Sequence, residues 1–263
     1  MKILVTGHKG FIGGQLLLTL ARQHEVTGYD YQNDFPDIRG YDWVIHAGAI
    51  SSTTERNIDL VLRQNLEFSC RLLEACYRYG VNLQYSSSAS VYGLGQDFRE
   101  TAVPDPRTAY AWSKYLFERH VDQNPGPVLV QGFRYFNVHG SPEQEAHKGN
   151  QASPHTQFRL QAKKSQRIIL FENSEKYLRD FVPVKTVIDV QEQFFSVTES
   201  GLWNIGTGRA QSFESVAHAV AQETQALIEY RPMPAELAYS YQTYTCADLT
   251  HLNKTLEKYH DLG

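Results

Sequence analysis

The opening segment, KILVTGHKGFIGGQLLLTLARQ, sets the tightest limit on how this chain can fold. A short β-rich run ends on Gly7, Gly10 and Gly13 follow, and apolar residues at helical spacing begin at once. EVTGYD then reads as a second strand, so the order is strand, tight turn, helix, strand. Glycine at such a turn lets the backbone approach a pyrophosphate and lets helix and strand pack closely. The helix N-terminus points free N–H groups and its positive dipole end at the phosphates. Asp30 ends the second strand, where a carboxylate can bond the adenosine ribose hydroxyls. A ligand-free glycine turn would account for the glycines alone; with Asp30 the pattern is that of a dinucleotide site.

The alternation continues. DWVIHAGA reads as a buried strand and NIDLVLRQNLEFSCRLLEACYRYG as a long helix closed by Gly80. NLQYSSS follows as strand, AYAWSKYLFERHV as helix and PVLVQGFRYFNV as strand. The fold class is therefore α/β, a Rossmann-type doubly wound parallel sheet. Beyond Gly140 the pattern loosens: RIILF, LRDFV and GLWNIG read as short strands, VKTVIDVQEQFFSVT and SFESVAHAVAQET as helices. Residues 1–140 are expected to form the dinucleotide-binding domain. Residues 141–263 are expected to form mainly a smaller C-terminal substrate-binding lobe, with some chain crossing back.

With 263 residues, 41% hydrophobic and 21% charged, the chain has material for one large core. A formal net charge of −4 without a basic stripe argues against nucleic acid or an anionic membrane as the main partner. No apolar run approaches the ~18 residues of a membrane span, and glycines interrupt the N-terminus too early for a signal-peptide core. Cys70, Cys76 and Cys246 are odd in number and lack metal-type spacing, so no metal is expected and reduced thiols in a cytoplasm are.

Ser88, in YSSSASVYG, follows a sheet strand; Tyr110 and Lys114, in YAWSK, share one face of a helix. A tyrosine with its usual pKa of ~10 is a poor base at neutral pH, and a neighbouring ammonium favours its phenolate. The serine hydroxyl can bond a reacting oxygen. A lone Tyr-x-x-x-Lys is ordinarily just a helix surface, but here it follows a dinucleotide turn and a serine-rich strand end. One further cation, Lys148, lies in the aperiodic stretch EQEAHKGNQASPHT. Alone it reads as a solvated loop charge; beside the rest it is a candidate amine carried into a site.

These segments resemble the extended short-chain dehydrogenase/reductase superfamily in TGHKGFIG, SSSASVYG, YAWSK, RYFNVHG, RDFV and NIGTGRA. In AGAISSTTE, EQEAHKGNQAS, LFENSEKYLRDFV and YQTYTCADLTHL the chain resembles, more narrowly, the ADP-L-glycero-D-manno-heptose 6-epimerases. The resemblance implies an isomerase that oxidises C6 of a nucleotide-linked mannoheptose with bound NADP or NAD and returns the hydride to the opposite face. That reaction serves lipopolysaccharide core synthesis. It implies Tyr110 and Lys148 as two acid/base groups, Ser88 polarising the oxygen and Lys114 holding the cofactor. On the cofactor side it adds Phe11, Ile12, Asp30, Ala47, Gly48, Ala49, Ile50, Ser51, Asn65 and Val138 to the three glycines. On the substrate side it adds Asn137, Asn150, Gln157, Phe171, Glu172, Asn173, Ser174, Arg179 and Tyr241, Arg179 suiting a diphosphate. It also implies a cytoplasmic homo-oligomer acting on a small molecule.

Three departures accompany the resemblance. Only Tyr31 to Tyr41 separate Asp30 from the next strand, with Arg39 and no lysine, which leaves NAD open beside NADP. Gln157 stands where such enzymes carry a histidine, and the chain ends at KYHDLG, short of their last helix. Another nucleotide-sugar epimerase or a dehydratase is the nearest alternative, although Ala89 and Ser90 after Ser88 supply no dehydratase carboxylate. A non-catalytic dinucleotide-binding regulator is the alternative from another class.

Overall fold

The computed structural model describes residues 1–31, 34–234 and 242–260, and the side chains of residues 147, 150 and 260 stand outside that description. Five parallel strands, β1 (Lys2–Thr6), β2 (Glu25–Tyr29), β3 (Trp43–His46), β4 (Asn82–Ser88) and β5 (Val130–Tyr135), build most of the central sheet. Ile3, Leu4, Val5, Val44, Ile45 and Leu83 are buried, as strands covered on both faces require. Helix α1 (Phe11–Leu20) follows the glycine turn. The long predicted helix forms as α2 (Ile58–Val61) and α3 (Phe68–Tyr79), joined through wider π-type turns over Leu62–Glu67. Gly80 caps it at φ +69°, the left-handed position that suits glycine. Helix α4 (Ala109–Gln123) carries Tyr110 and Lys114 and is capped by the Thr108 hydroxyl.

The expected single strand PVLVQGFRYFNV is two. After β5, Phe136 is buried among Val91, Tyr92, Phe98 and Ala247 while its N–H donates to Ile205. The next residues, β6 (Asn137–His139), leave the central sheet. They pair instead with β8 (Leu178–Pro183), which follows α5 (Pro154–Ser165) and β7 (Arg167–Phe171). Sequence periodicity could not show this break, because one tertiary anchor at Phe136 causes it.

The chain then crosses back to the core. Val184 and Ile188 of α6 (Val184–Gln193) pack into the same cluster as Leu16 and Leu20 of α1. Strand β9 (Gly201–Ile205) completes the central sheet in the order β2-β1-β3-β4-β5-β9. The lobe is closed by β10 (Ala210–Ser212) on β8 and by α7 (Phe213–Thr224). Strand β11 (Leu227–Arg231) then pairs with β7, and α8 (Thr250–His260) follows. Between β2 and β3 no helix forms over the described residues. Ile38, fully buried, instead covers the sheet face beside Phe68 and Leu72.

Candidate active site

The glycine turn has the form a dinucleotide needs. Gly7 sits at φ +74°, its N–H bonded to Tyr29, and a Cβ there would lie 2.6 Å from the Gly48 nitrogen. A Cβ on Gly13 would lie 2.7 Å from the Gly7 carbonyl carbon, so helix and turn touch backbone to backbone. Gly10 caps α1 with no side chain, and the first turn holds no acidic residue. Its N–H groups are thus left for a ligand, and the residues present fit a pyrophosphate.

A cavity of about 670 Å³ opens on this turn, at the carboxyl ends of the sheet strands. Its wall includes Gly7, Gly10, Phe11, Ile12 and Gly13, then Ala47, Ala49, Ile50 and Ser51, and also Asn137 and Val138. Ser88, Tyr110, Lys114 and Lys148 line the same cavity. A smaller recess of about 280 Å³ adjoins it, lined by Asp30, Gly48 and Phe68 among others, at the end where an adenosine would lie. Asp30 accepts the Lys9 backbone N–H at 3.2 Å and faces His8 Nδ1 at 3.5 Å.

Asn65 was expected on the cofactor, and its side chain proves fully engaged by protein. Its oxygen accepts the Ile50 N–H at 2.8 Å, and its amide donates to the Ile50 carbonyl and the Ser113 hydroxyl, both at 3.0 Å. It clamps the 47–51 loop to α4, and the π-type turns put it there, a distortion frequent at functional sites.

Lys114 Nζ donates to the Ser86 carbonyl at 2.8 Å. Burial lowers its pKa from 10.5 to about 8, against an upward pull from Glu118. Glu118 lies one turn further on α4; it accepts the Ser87 hydroxyl and forms a buried pair with Arg134, 2.6 Å apart. The expected depression of Tyr110 by Lys114 is absent from the free protein. Burial raises the phenol above its usual value, and only the hydrogen bond with Ser88 pulls it down. The Lys114 ammonium lies 5.8 Å from the centre of the Tyr110 ring and spends a proton on Ser86.

Lys148 sits on a short 3₁₀ turn, Ala146–Gln151, just before Gly149, whose φ of +50° reverses the chain. Its ammonium is 3.2 Å from Glu145 and 4.8 Å from the centre of the Phe11 ring. Burial alone would push the Glu145 carboxyl up. Bonds from Ser153 N–H, Gly140 N–H and the Ser153 hydroxyl, with the Lys148 charge, outweigh that and bring it below its usual value. Glu145 was not anticipated, although its spacing in EAHK, one helical turn before the lysine, is a signal that could have found it.

Among the described residues, the other expected substrate groups, Gln157, Phe171 to Ser174 and Arg179, do not line the cavity. Gln157 donates to the Gly149 carbonyl at 2.8 Å. Phe171, Glu172, Asn173 and Ser174 end β7 and lead into the next turn. The Arg179 guanidinium donates to the carbonyls of Leu178 and Gln242 and lies over the Phe213 ring. Its neighbour Asp180 is taken up by Thr207, Gly208 and Ala247. Tyr241 and the Asn150 side chain lie outside the described residues.

Glycine turn, ribose carboxylate and serine–tyrosine–lysine group on one Rossmann-type core define a class. The chain belongs to the NAD dependent epimerase/dehydratase family, whose model matches residues 3–206. It is an NAD(P)-dependent epimerase, an isomerase. It is 35% identical to the ADP-L-glycero-D-manno-heptose-6-epimerase of Pseudomonas paraeruginosa, over 97% of this chain and 92% of that protein. The protein of the same name from Brachyspira hyodysenteriae is also 35% identical, with coverage of 95% and 90%. Among solved structures, the Helicobacter pylori ADP-L-glycero-D-manno-heptose-6-epimerase superimposes with a TM-score of 0.78 at 23% identity, covering 99% and 95% of the two chains. The Thermus thermophilus UDP-glucose 4-epimerase complex with NAD gives 0.82 at 26% identity, covering 98% and 93%.

Proposed function

We propose that this chain inverts C6 of ADP-D-glycero-D-manno-heptose, giving the L-glycero-D-manno epimer. The observation that carries the reading is that Tyr110 and Lys148, from separate elements, line one cavity with Ser88, Lys114 and the glycine turn. A bound nicotinamide supplies the acceptor and donor of the hydride at C6. Ser88 hydrogen-bonds the C6 oxygen and Lys114 holds the nicotinamide ribose. Oxidation of the carbinol requires its hydroxyl proton to leave, and reduction of the ketone requires one to return. The carbon presents opposite faces in the two steps, so its oxygen points in two directions, and one acid/base group reaches only one of them well. Tyr110 serves one orientation and Lys148 the other.

The dehydratase alternative is disfavoured, because the side chains that bond the Ser88 hydroxyl among the described residues are Ser90 and Tyr110, with no carboxylate between them. Homo-oligomeric assembly and a cytoplasmic setting belong to the same proposal; the free thiols of Cys70, Cys76 and Cys246 accord with a reducing compartment. The test is a turnover assay with ADP-D-glycero-D-manno-heptose beside UDP-glucose and GDP-mannose, products resolved by chromatography. Formation of the L epimer from the ADP-heptose alone is expected. Inversion of a hexose in preference to it would overturn the substrate, and no inversion of any would overturn the activity.

A further inference from the structure

Glu145 is completely buried, on the loop that carries Lys148. Its carboxylate accepts the Gly140 N–H at 2.9 Å, the Ser153 N–H at 2.6 Å, the Ser153 hydroxyl at 2.7 Å and the Thr156 hydroxyl at 3.1 Å. Lys148 Nζ, at 3.2 Å, completes the shell and is its one ion-pair partner among the described residues. A buried carboxylate is costly unless paired and hydrogen-bonded, and here both conditions are met. The four uncharged donors do more than satisfy it: they fix both oxygens relative to β6 and the start of α5. The lysine is the mobile member of the pair, with a long stem and a side chain 21% exposed.

On its other side the Lys148 ammonium faces Phe11, the first residue of α1 at the glycine turn. The same loop is tied to α1 by Gln144, whose amide donates to the Gln15 side chain at 2.7 Å. The amine is therefore held between a fixed anion and a ring that belongs to the cofactor side of the cavity.

We infer that Glu145 is a positioning residue for the reaction, holding the Lys148 ammonium against Phe11 where the substrate oxygen can reach it. This rests on reading Lys148 as the second acid/base group. The carboxylate stays ionised under its four donors, so it steers the amine without itself taking the proton. Losing the grip leaves the amine present but displaced, and turnover falls while substrate and cofactor still bind.

The test compares Glu145→Gln, Glu145→Asp, Thr156→Val and Lys148→Met by steady-state kinetics on the ADP-heptose and by NAD(P) titration. Glu145→Gln should lower kcat about 30-fold or more, with KM and cofactor affinity within about threefold, and Glu145→Asp should recover part of the loss. Thr156→Val removes the longest of the four bonds that fix Glu145 and leaves three, so kcat should fall less than in Glu145→Gln; a larger fall would count against the inference. Added to Lys148→Met, Glu145→Gln should cost nothing further, since both act through one amine. Unchanged kcat in Glu145→Gln, a raised KM alone, or an additive loss in the double variant would overturn the inference. If Glu145→Gln does not unfold cooperatively, Glu145→Asp is judged by the same criteria. A fully active Lys148→Met would instead sink the acid/base reading of Lys148; an inactive one beside an unaffected Glu145→Gln would sink the positioning role alone.

Discussion

His46 ends β3 directly before the 47–51 loop of the cofactor cavity, and it is 3% exposed. Its hydrogen bonds decide its tautomer. Ser69 gives its only hydroxyl proton to the Asn65 carbonyl at 2.5 Å, so it can only accept from His46 Nε2–H, 2.8 Å away. Nδ1 is then left to accept the Thr6 hydroxyl at 2.6 Å. A proton added to Nδ1 would oppose that hydroxyl in a buried site. Burial, with the Lys114 charge behind it, lowers the imidazole from 6.5 to about 3. In the unfolded chain His46 binds a proton below its ordinary value, while in the fold it stays neutral until about pH 3. Its contribution is therefore complete above pH 6.5 and is lost as pH falls toward 3. At pH 5 the unfolded imidazole is protonated over some 1.5 units, a loss of about 2 kcal/mol. Urea unfolding of the wild type and of His46→Asn at pH 7.5, 6 and 5 measures this. The variant should be less stable at pH 7.5, yet its stability should fall by about 2 kcal/mol less on acidification. His155, pushed down to about 4 by burial, adds the same slope to both proteins and cancels. Parallel curves down to pH 5 would refute the reasoning.

Three further predictions bear on the site. Lys148→Met and Tyr110→Phe should each reduce epimerisation about a thousandfold with NAD(P) affinity intact, and the double variant should be little worse; a rise in KM with kcat unchanged would reduce Lys148 to a binding group. The free protein should not strongly prefer NADP, because Asp30 lines the adenosine recess and Arg39 is spent on Asp37, with His8 offsetting Asp30 only when protonated. Parallel titrations with NAD and NADP decide it, and a hundredfold or larger preference for NADP, about 3 kcal/mol, would overturn the argument. Gly13→Ala should push α1 off the turn, costing about 1–3 kcal/mol of stability and most cofactor affinity; wild-type NAD(P) binding would show that the contact can relax.

How much of this was legible in the sequence depends on the range of the interaction responsible. The strand–turn–helix opening, the central strands and helix α4 are written in local periodicity and capping residues, and they form where expected. Ser88, Tyr110 and Lys114 could be named in advance from type and spacing, Lys148 only through the family resemblance, and one cavity gathers all four. The break at Phe136 was hidden, and although some crossing back was expected, the place of β9 beside β5 was not legible, since each depends on a partner distant in sequence. The same holds for Arg179, a plain cation in the sequence but bonded in the fold to the carbonyl of its neighbour Leu178 and to that of Gln242, distant in sequence.

Most obscure were the buried polar groups that set the reactive ones in place. Asn65 was expected on the cofactor and serves as a clamp between Ile50 and Ser113; Glu145 was not anticipated and is fully enclosed. Asn65 reaches from the π-type turns between α2 and α3, Glu145 from the turn after β6, and both accept backbone N–H groups of loops that have left the strands. That is the physical link between irregular backbone and function here. A loop can approach a ligand closely only if its own amides are paid for by side chains from below. The residues that make those bonds then inherit control over the groups the loop carries. Asn65 holds the 47–51 loop to the helix of Tyr110 and Lys114, and Glu145 holds the 140–153 loop and its lysine. Substitution at either should therefore alter reactivity before it alters the fold, the ordering expected of a clamp and not of a core residue.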